Sequence, residues 1–117
     1  MIAVLFEVEL APGRRDAYLG AAETLRPLLA GVDGFISIER FESLSRPGRL
    51  LSLSFWESEE AVQRWRTLDA HRAAQQAGRA SIFADYRLTV AEVIRGYGLT
   101  DREEAPEDSR VFHGPTG

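Results

Sequence analysis

The chain has 117 residues, of which 44% are hydrophobic, 9% aromatic and 27% charged, which suits one globular domain and leaves no room for a second. Fourteen arginines, no lysine and eighteen acids give a net charge of −4 without a basic stripe, and this argues against nucleic acid as a partner. The absence of cysteine excludes a disulfide framework, a thiolate nucleophile and Cys-ligated zinc. The amino terminus lacks the basic region of a signal peptide, and no stretch approaches the ~20 apolar residues of a membrane span. The expectation is a cytoplasmic protein without a membrane partner.

Residues 2–10 alternate, with Val4, Phe6, Val8 and Leu10 on one side and Ala3, Leu5, Glu7 and Glu9 on the other, the period of a strand. Ala11, Pro12 and Gly13 end it. From Arg14, apolar positions at Tyr18, Ala21, Ala22, Leu25, Leu28, Leu29 and Val32 step by three and four, which predicts an amphipathic helix. Pro27 lies inside that pattern and should kink or loosen the last turns. Gly31 and Gly34 mark the helix end, and Phe35 to Glu42 alternates again. A turn at Ser45 to Gly48 leads into a third strand, Leu50 to Glu57, so strands two and three form a hairpin.

Ser58 followed by Glu59 and Glu60 is a helix start, a hydroxyl cap with acids at the positive end of the dipole. Ala61, Val62, Trp65 and Leu68 give that helix its inward stripe. A second helical stretch runs from Asp69, which can cap anew, to about Gly78, with a break near Thr67 and Leu68. Tyr86 to Ile94 is the fourth strand. Residues 98–117 form an acidic tail containing proline and glycine, expected to be extended and weakly ordered, with Val111, Phe112 and Pro115 as an anchor against a second subunit.

The order β-α-β-β-α-β is the ferredoxin-like, α+β arrangement: a four-stranded antiparallel sheet with its helices on one face. Val4, Phe6, Val8, Ile36, Ile38, Leu51, Leu53, Phe55 and Val93 are expected on the helix side. The open face is expected to carry Phe35, Phe41, Trp56, Tyr86, Leu88 and Val90 among Glu7, Ser37, Glu39, Ser52, Ser54 and Glu92. Such a half-apolar face predicts a homodimer, sheet against sheet.

The chemistry-bearing residues are few. No phosphate loop, nucleophile elbow or paired-histidine metal spacing is present. His71 and His113 are the two histidines; His113 falls in the tail and reads as solvated, whereas His71 lies on the second helical stretch, six residues after Trp65. An imidazole beside an apolar pocket can act as a base near neutral pH, or it can be a surface histidine bonded to Asp69. Trp65 packs in the core or walls a cavity. Arg40 falls among helix-facing positions, where a guanidinium needs a partner such as Glu23 or Asp69, or borders a polar pocket. Glu7, Glu39 and Glu92 read as salt-bridge partners of arginines rather than as an acid-base pair.

Asp33 to Glu42 (DGFISIERFE), Leu51 to Ser58 (LSLSFWES), Glu60 to Trp65 (EAVQRW) and Ala70 to Gln75 (AHRAAQ) resemble the antibiotic biosynthesis monooxygenase (ABM) superfamily. The likeness spans residues 1–97, with 98–117 as the tail. It implies a dimeric α+β barrel and a cofactor-independent monooxygenase acting on a small aromatic, phenolic or quinol molecule. His71, Trp65 and Arg40 would be the catalytic residues, with Tyr18, Phe6, Phe55 and Phe83 lining the pocket. It implies no metal and no cofactor. Haem degraders of the superfamily place an axial histidine ten residues after the tryptophan, and here Gln75 stands there. A non-catalytic member that binds a small hydrophobic ligand, or only scaffolds a dimer, is the alternative.

Overall fold

A computed structural model describes residues 1–113 of the chain. Strands β1 (Ile2–Leu10), β2 (Phe35–Glu42), β3 (Arg49–Trp56) and β4 (Phe83–Glu92) form one antiparallel sheet in the order β2-β3-β1-β4. Helices α1 (Arg15–Ala30), α2 (Glu59–Arg66) and α3 (Asp69–Ala77) follow β1 and β3, and α4 (Glu107–His113) lies in the tail. This is the α+β, ferredoxin-like order expected from the sequence.

Local chemistry sets the boundaries. The Ala61 amide donates to Ser58 Oγ at 3.2 Å, and acids in the first turn of α2 and arginines in its last complement the dipole. The break after α2 falls at Thr67, as predicted, but Leu68 is the cap residue of α3. Asp69, expected to cap, occupies the first helical position, and the cap residue Leu68 makes no side-chain cap bond. Pro27 sits within a helix that continues to Ala30. A π-turn at Gly78–Ile82, unforeseen in the sequence, carries the chain from α3 into β4, which begins at Phe83 rather than Tyr86.

The register corrects the assignment of sheet faces. Directly opposed residues share a face, and Ile2, Val4, Phe6 and Val8 of β1 oppose Trp56, Ser54, Ser52 and Leu50 of β3. On the other side β1 opposes Val90, Leu88 and Tyr86 of β4. Trp56, Ser52, Ser54, Tyr86, Leu88 and Val90 therefore face the helices, and Leu51, Leu53 and Phe55 lie on the open face with Leu5 and Phe41. A one-residue change of phase moves every side chain across the sheet, and hydrophobicity alone misassigned it here because the more apolar half of β3 lies on the open face. In β2 a bulge between Phe35 and Ser37 adds a second slip. It puts Phe35 and Ile38 together against the core, whereas Ile36, expected inside, is exposed.

Two buried clusters fill the helix side. Ile2, Leu29, Trp56, Ala61 and Val62 form one, under the end of α1 and the start of α2. Val8, Tyr18, Leu50 and Ile82 form the other, with Phe6, Phe83 and Tyr86 packed edge-on around it. The tail also departs from expectation. Ala105 is buried, Arg102 donates to Ser109 Oγ at 2.6 Å, and Arg110 donates to the carbonyls of Ala105 and Glu103, so this segment folds on itself around α4. Val111 and Phe112 are exposed, and Pro115 lies outside the described residues. The radius of gyration, 16.9 Å, exceeds the ~13 Å of a compact chain of this length.

Candidate active site

Between the two clusters the sheet and helices do not meet. The sheet floor there is Ser52 and Ser54, with Phe6 and Val4 beside them in the register, and the facing helices present Ala21, Ala22, Ala74 and Gly78. Small side chains in opposed layers leave space that larger ones would fill. The result is a cavity of about 180 Å³, walled by Tyr18, Trp56, Trp65 and Phe83. Phe83 is held by edge contacts to Phe6, Tyr18 and Tyr86 at ring-centroid distances of 5.5, 6.2 and 5.7 Å. It also leans on Gly78, where an added Cβ would stand 2.5 Å from its ring.

The polar groups of this cavity are sparse. His71 of α3 stacks on Trp65 of α2 with centroids 4.7 Å apart, and its Nδ1 is buried without a hydrogen-bond partner. Burial lowers its pKa from the ordinary 6.5, an effect that the Arg66 backbone partly opposes, so the ring is neutral at pH 7. Arg40 of β2 opposes Ser52, and its Nε is likewise buried and unpartnered. The expected ion pairs of Arg40 with Glu23 or Asp69 do not form among the described residues. Trp56 Nε1 donates to Ser54 Oγ at 2.9 Å, which satisfies a buried indole and fixes the floor.

Of the residues singled out in the sequence, His71, Trp65, Arg40, Tyr18, Phe6 and Phe83 line this one cavity. Phe55 does not: it opposes Ala3 and Ser37 on the open face of the sheet. Glu7 pairs with Arg49 at 3.0 Å, and His113 sits on α4 with its ring against Phe112. Sequence reasoning missed Ser52, Ser54 and Trp56 as cavity residues because it read β3 in the opposite phase, and it missed Gly78 for want of any signal of a π-turn. Gln75 lines the cavity where haem ligation would ask for histidine, and an amide is a poor axial ligand. Among the described residues no cluster of three or more histidine or acidic side chains is arranged to hold a metal ion. No described helix is long and apolar enough to cross a membrane.

Known proteins of this shape share the fold at low identity. A crystal structure described as an antibiotic biosynthesis monooxygenase from Deinococcus radiodurans superposes with a TM-score of 0.75 at 17% identity, covering 86% of this chain and 99% of that one. Rv0793 from Mycobacterium tuberculosis gives 0.73 at 18%, covering 83% and 98%. In sequence, the chain is 50% identical over 93 residues to the jasmonate monooxygenase ABM of Pyricularia oryzae, which is 80% of this chain and 43% of that protein. It is 33% identical over 78 residues to the uncharacterized protein YqjZ of Bacillus subtilis, covering 67% of each. The chain thus spans less than half the length of the first of these relatives. The family model for antibiotic biosynthesis monooxygenase matches residues 1–77, and the chain belongs to that family.

Proposed function

We propose that the chain is a cofactor-independent monooxygenase acting on a small, electron-rich phenolic, quinol or enolic compound held in the cavity between sheet and helices. The observation that carries this reading is the buried, unpartnered Nδ1 of a neutral His71 in a cavity that is otherwise mostly apolar. A neutral imidazole out of water can take a proton from a hydroxyl or an activated C–H of the substrate. Arg40 holds negative charge in the same space, and Trp65 and its aromatic neighbours orient the ring and exclude water. The substrate anion then supplies all four electrons that reduce O₂. In an anthrone an activated CH₂ becomes a carbonyl, and in a naphthoquinol a ring C–H becomes C–OH while the quinol is oxidised to the quinone; in both, one oxygen atom is retained and the other leaves as water.

The relative that is 50% identical over 93 residues is named a jasmonate monooxygenase, and that name supports the monooxygenase reading. Oxygen uptake with a naphthoquinol or an anthrone tests the reading: uptake abolished by His71→Ala supports it, and no uptake with any such compound overturns it.

The same reading includes a homodimer through the open sheet face. Leu5, Leu51, Leu53 and Phe55 are half-buried there and Phe41 is exposed. Stacking two such faces would remove a contiguous apolar patch from water and place Glu7, Glu39 and Arg87 at its polar margin.

A further inference from the structure

The charge of the cavity is one-sided. Arg40 enters it from β2, Arg26 from α1 and Arg66 from the end of α2, and no aspartate or glutamate lines it. Arg26 and Arg66 are exposed, and Arg26 has Glu23 at 3.8 Å. Arg40 differs from both. It is half-buried, its Nε is shut off from solvent without a partner, and among the described residues no carboxylate stands within ion-pair distance. A guanidinium stays ionised in proteins, and a donor of that group held from water without an acceptor is destabilising unless something arrives to meet it. Its cross-strand neighbour, Ser52, offers only a neutral hydroxyl.

We propose that the ligand of this cavity is an organic acid with an apolar body, whose carboxylate lies against Arg40 while its carbon skeleton fills the space between Trp65, Tyr18 and Phe83. This rests on the reading that the cavity is the substrate site, and it assigns Arg40 to recognition of charge that the ligand brings with it. A monoanion matches what is present. One half-buried guanidinium presents a planar fork suited to a carboxylate, and the other two arginines of the cavity are exposed at its edge. The neutral state of His71 leaves Arg40 as the cation deepest in the site and keeps the imidazole free for another part of the ligand.

The test uses matched pairs that differ only in charge. Jasmonate, 2-naphthoate and 4-phenylbutyrate, each with its methyl ester, are titrated at neutral pH against the full chain. Binding is read from the fluorescence of Trp56 and Trp65, both of which line the cavity. The acids are expected to bind at least about tenfold more tightly than their esters. Arg40→Met and Arg40→Gln should narrow that ratio to about twofold by weakening the acid and leaving the ester unchanged. Esters that bind as well as acids, a preference that survives in folded Arg40 variants, or no acid binding below about 1 mM would each overturn the proposal. Should neither variant fold, the wild-type ratio decides alone. Oxygen uptake on the same samples separates the two readings. Acids that bind through Arg40 without being oxidised leave the anion site standing and remove the monooxygenase. Uncharged phenols oxidised without any acid preference do the reverse.

Discussion

The imidazole of His71 and the indole of Trp65 stack at a centroid distance of 4.7 Å with their planes tilted by 40°. In an uninterrupted helix, residues six apart point about 120° away from each other, so such a pair could not meet. The break between α2 and α3 brings them together. Thr67 closes α2 by donating its amide and hydroxyl to the Gln63 carbonyl, at 3.0 and 2.7 Å, and Leu68 then turns extended before α3 begins.

If His71 is the base, His71→Gln keeps the shape of the ring site and loses the proton acceptor. Oxygen uptake with a naphthoquinol should fall about 10²- to 10⁴-fold, the usual contribution of a positioned general base. Ligand affinity measured by tryptophan fluorescence should stay within a few-fold. Trp65→Phe should act the other way, weakening binding and changing turnover less, because it removes wall area and no proton chemistry.

The direction of the His71 pKa sets two pH profiles. Its folded value lies below the 6.5 of the unfolded chain because burial disfavours the imidazolium. Turnover should therefore rise through a pKa below 6.5 and be flat around neutrality. Stability follows the same sign: the contribution is fully present above 6.5 and is lost as pH falls toward the lowered folded value. Chemical denaturation at a series of pH values should show wild type losing more stability than His71→Gln between pH 7 and the acid limb. Parallel profiles would show that the imidazole is not disfavoured in the folded state.

Much of the architecture is legible in the sequence because it follows from periodicity and punctuation. Ser58, Gly31 and the turn ending at Gly48 place elements within a residue or two, and the stripe of α2 points Ala61 and Val62 inward. What is not legible is phase. Leu51-Ser52-Leu53-Ser54-Phe55-Trp56 alternates unambiguously, yet its apolar half lies on the open face and its serines lie under the helices. One face of this strand meets a hollow and the other is the open face, so alternation does not say which takes the apolar half, and only pairing with β1 decides. The bulge after Phe35 and the π-turn at Gly78 are backbone irregularities without a compositional mark. The cavity floor was invisible for that reason, while Phe6, Tyr18, Arg40, Trp65, His71 and Phe83 were not.

Gly34 joins α1 to β2 at a point where two requirements coincide. Its φ of +91° suits glycine alone, and a Cβ there would lie 2.6 Å from Cβ of Ala61, a fully buried residue. The Glu57 amide also donates to the Gly34 carbonyl at 2.8 Å, so the loop cannot shift freely to relieve the contact. Gly34→Ala should destabilise the fold by about 2–4 kcal/mol, as strain and overpacking add. Gly13→Ala, at φ +74° with open space around it, should be milder by the overpacking part. Thermal unfolding of the two variants measures the difference.

Leu50 and Leu53, three residues apart on β3, separate the two faces. Leu50 opposes Val8 in the helix-side core and is 5% exposed, whereas Leu53 opposes Leu5 and Glu39 on the face without helices. Leu50→Asp buries an unpaired carboxylate and should unfold the chain. Leu53→Asp puts a charge into the apolar patch, next to Leu5 and opposite Glu39 at the patch margin. If that patch is where two copies stack, the substitution should leave circular dichroism unchanged while the sedimenting mass falls from about twice 13.0 kDa to the single-chain value. Fluorescence titration of the dissociated variant then asks whether the cavity works alone. The cavity residues come from the helix side of one chain, so binding should persist at near wild-type affinity. A wild-type chain already monomeric at micromolar concentration, or a Leu53→Asp variant that stays paired, would mean that the open face is not the contact surface.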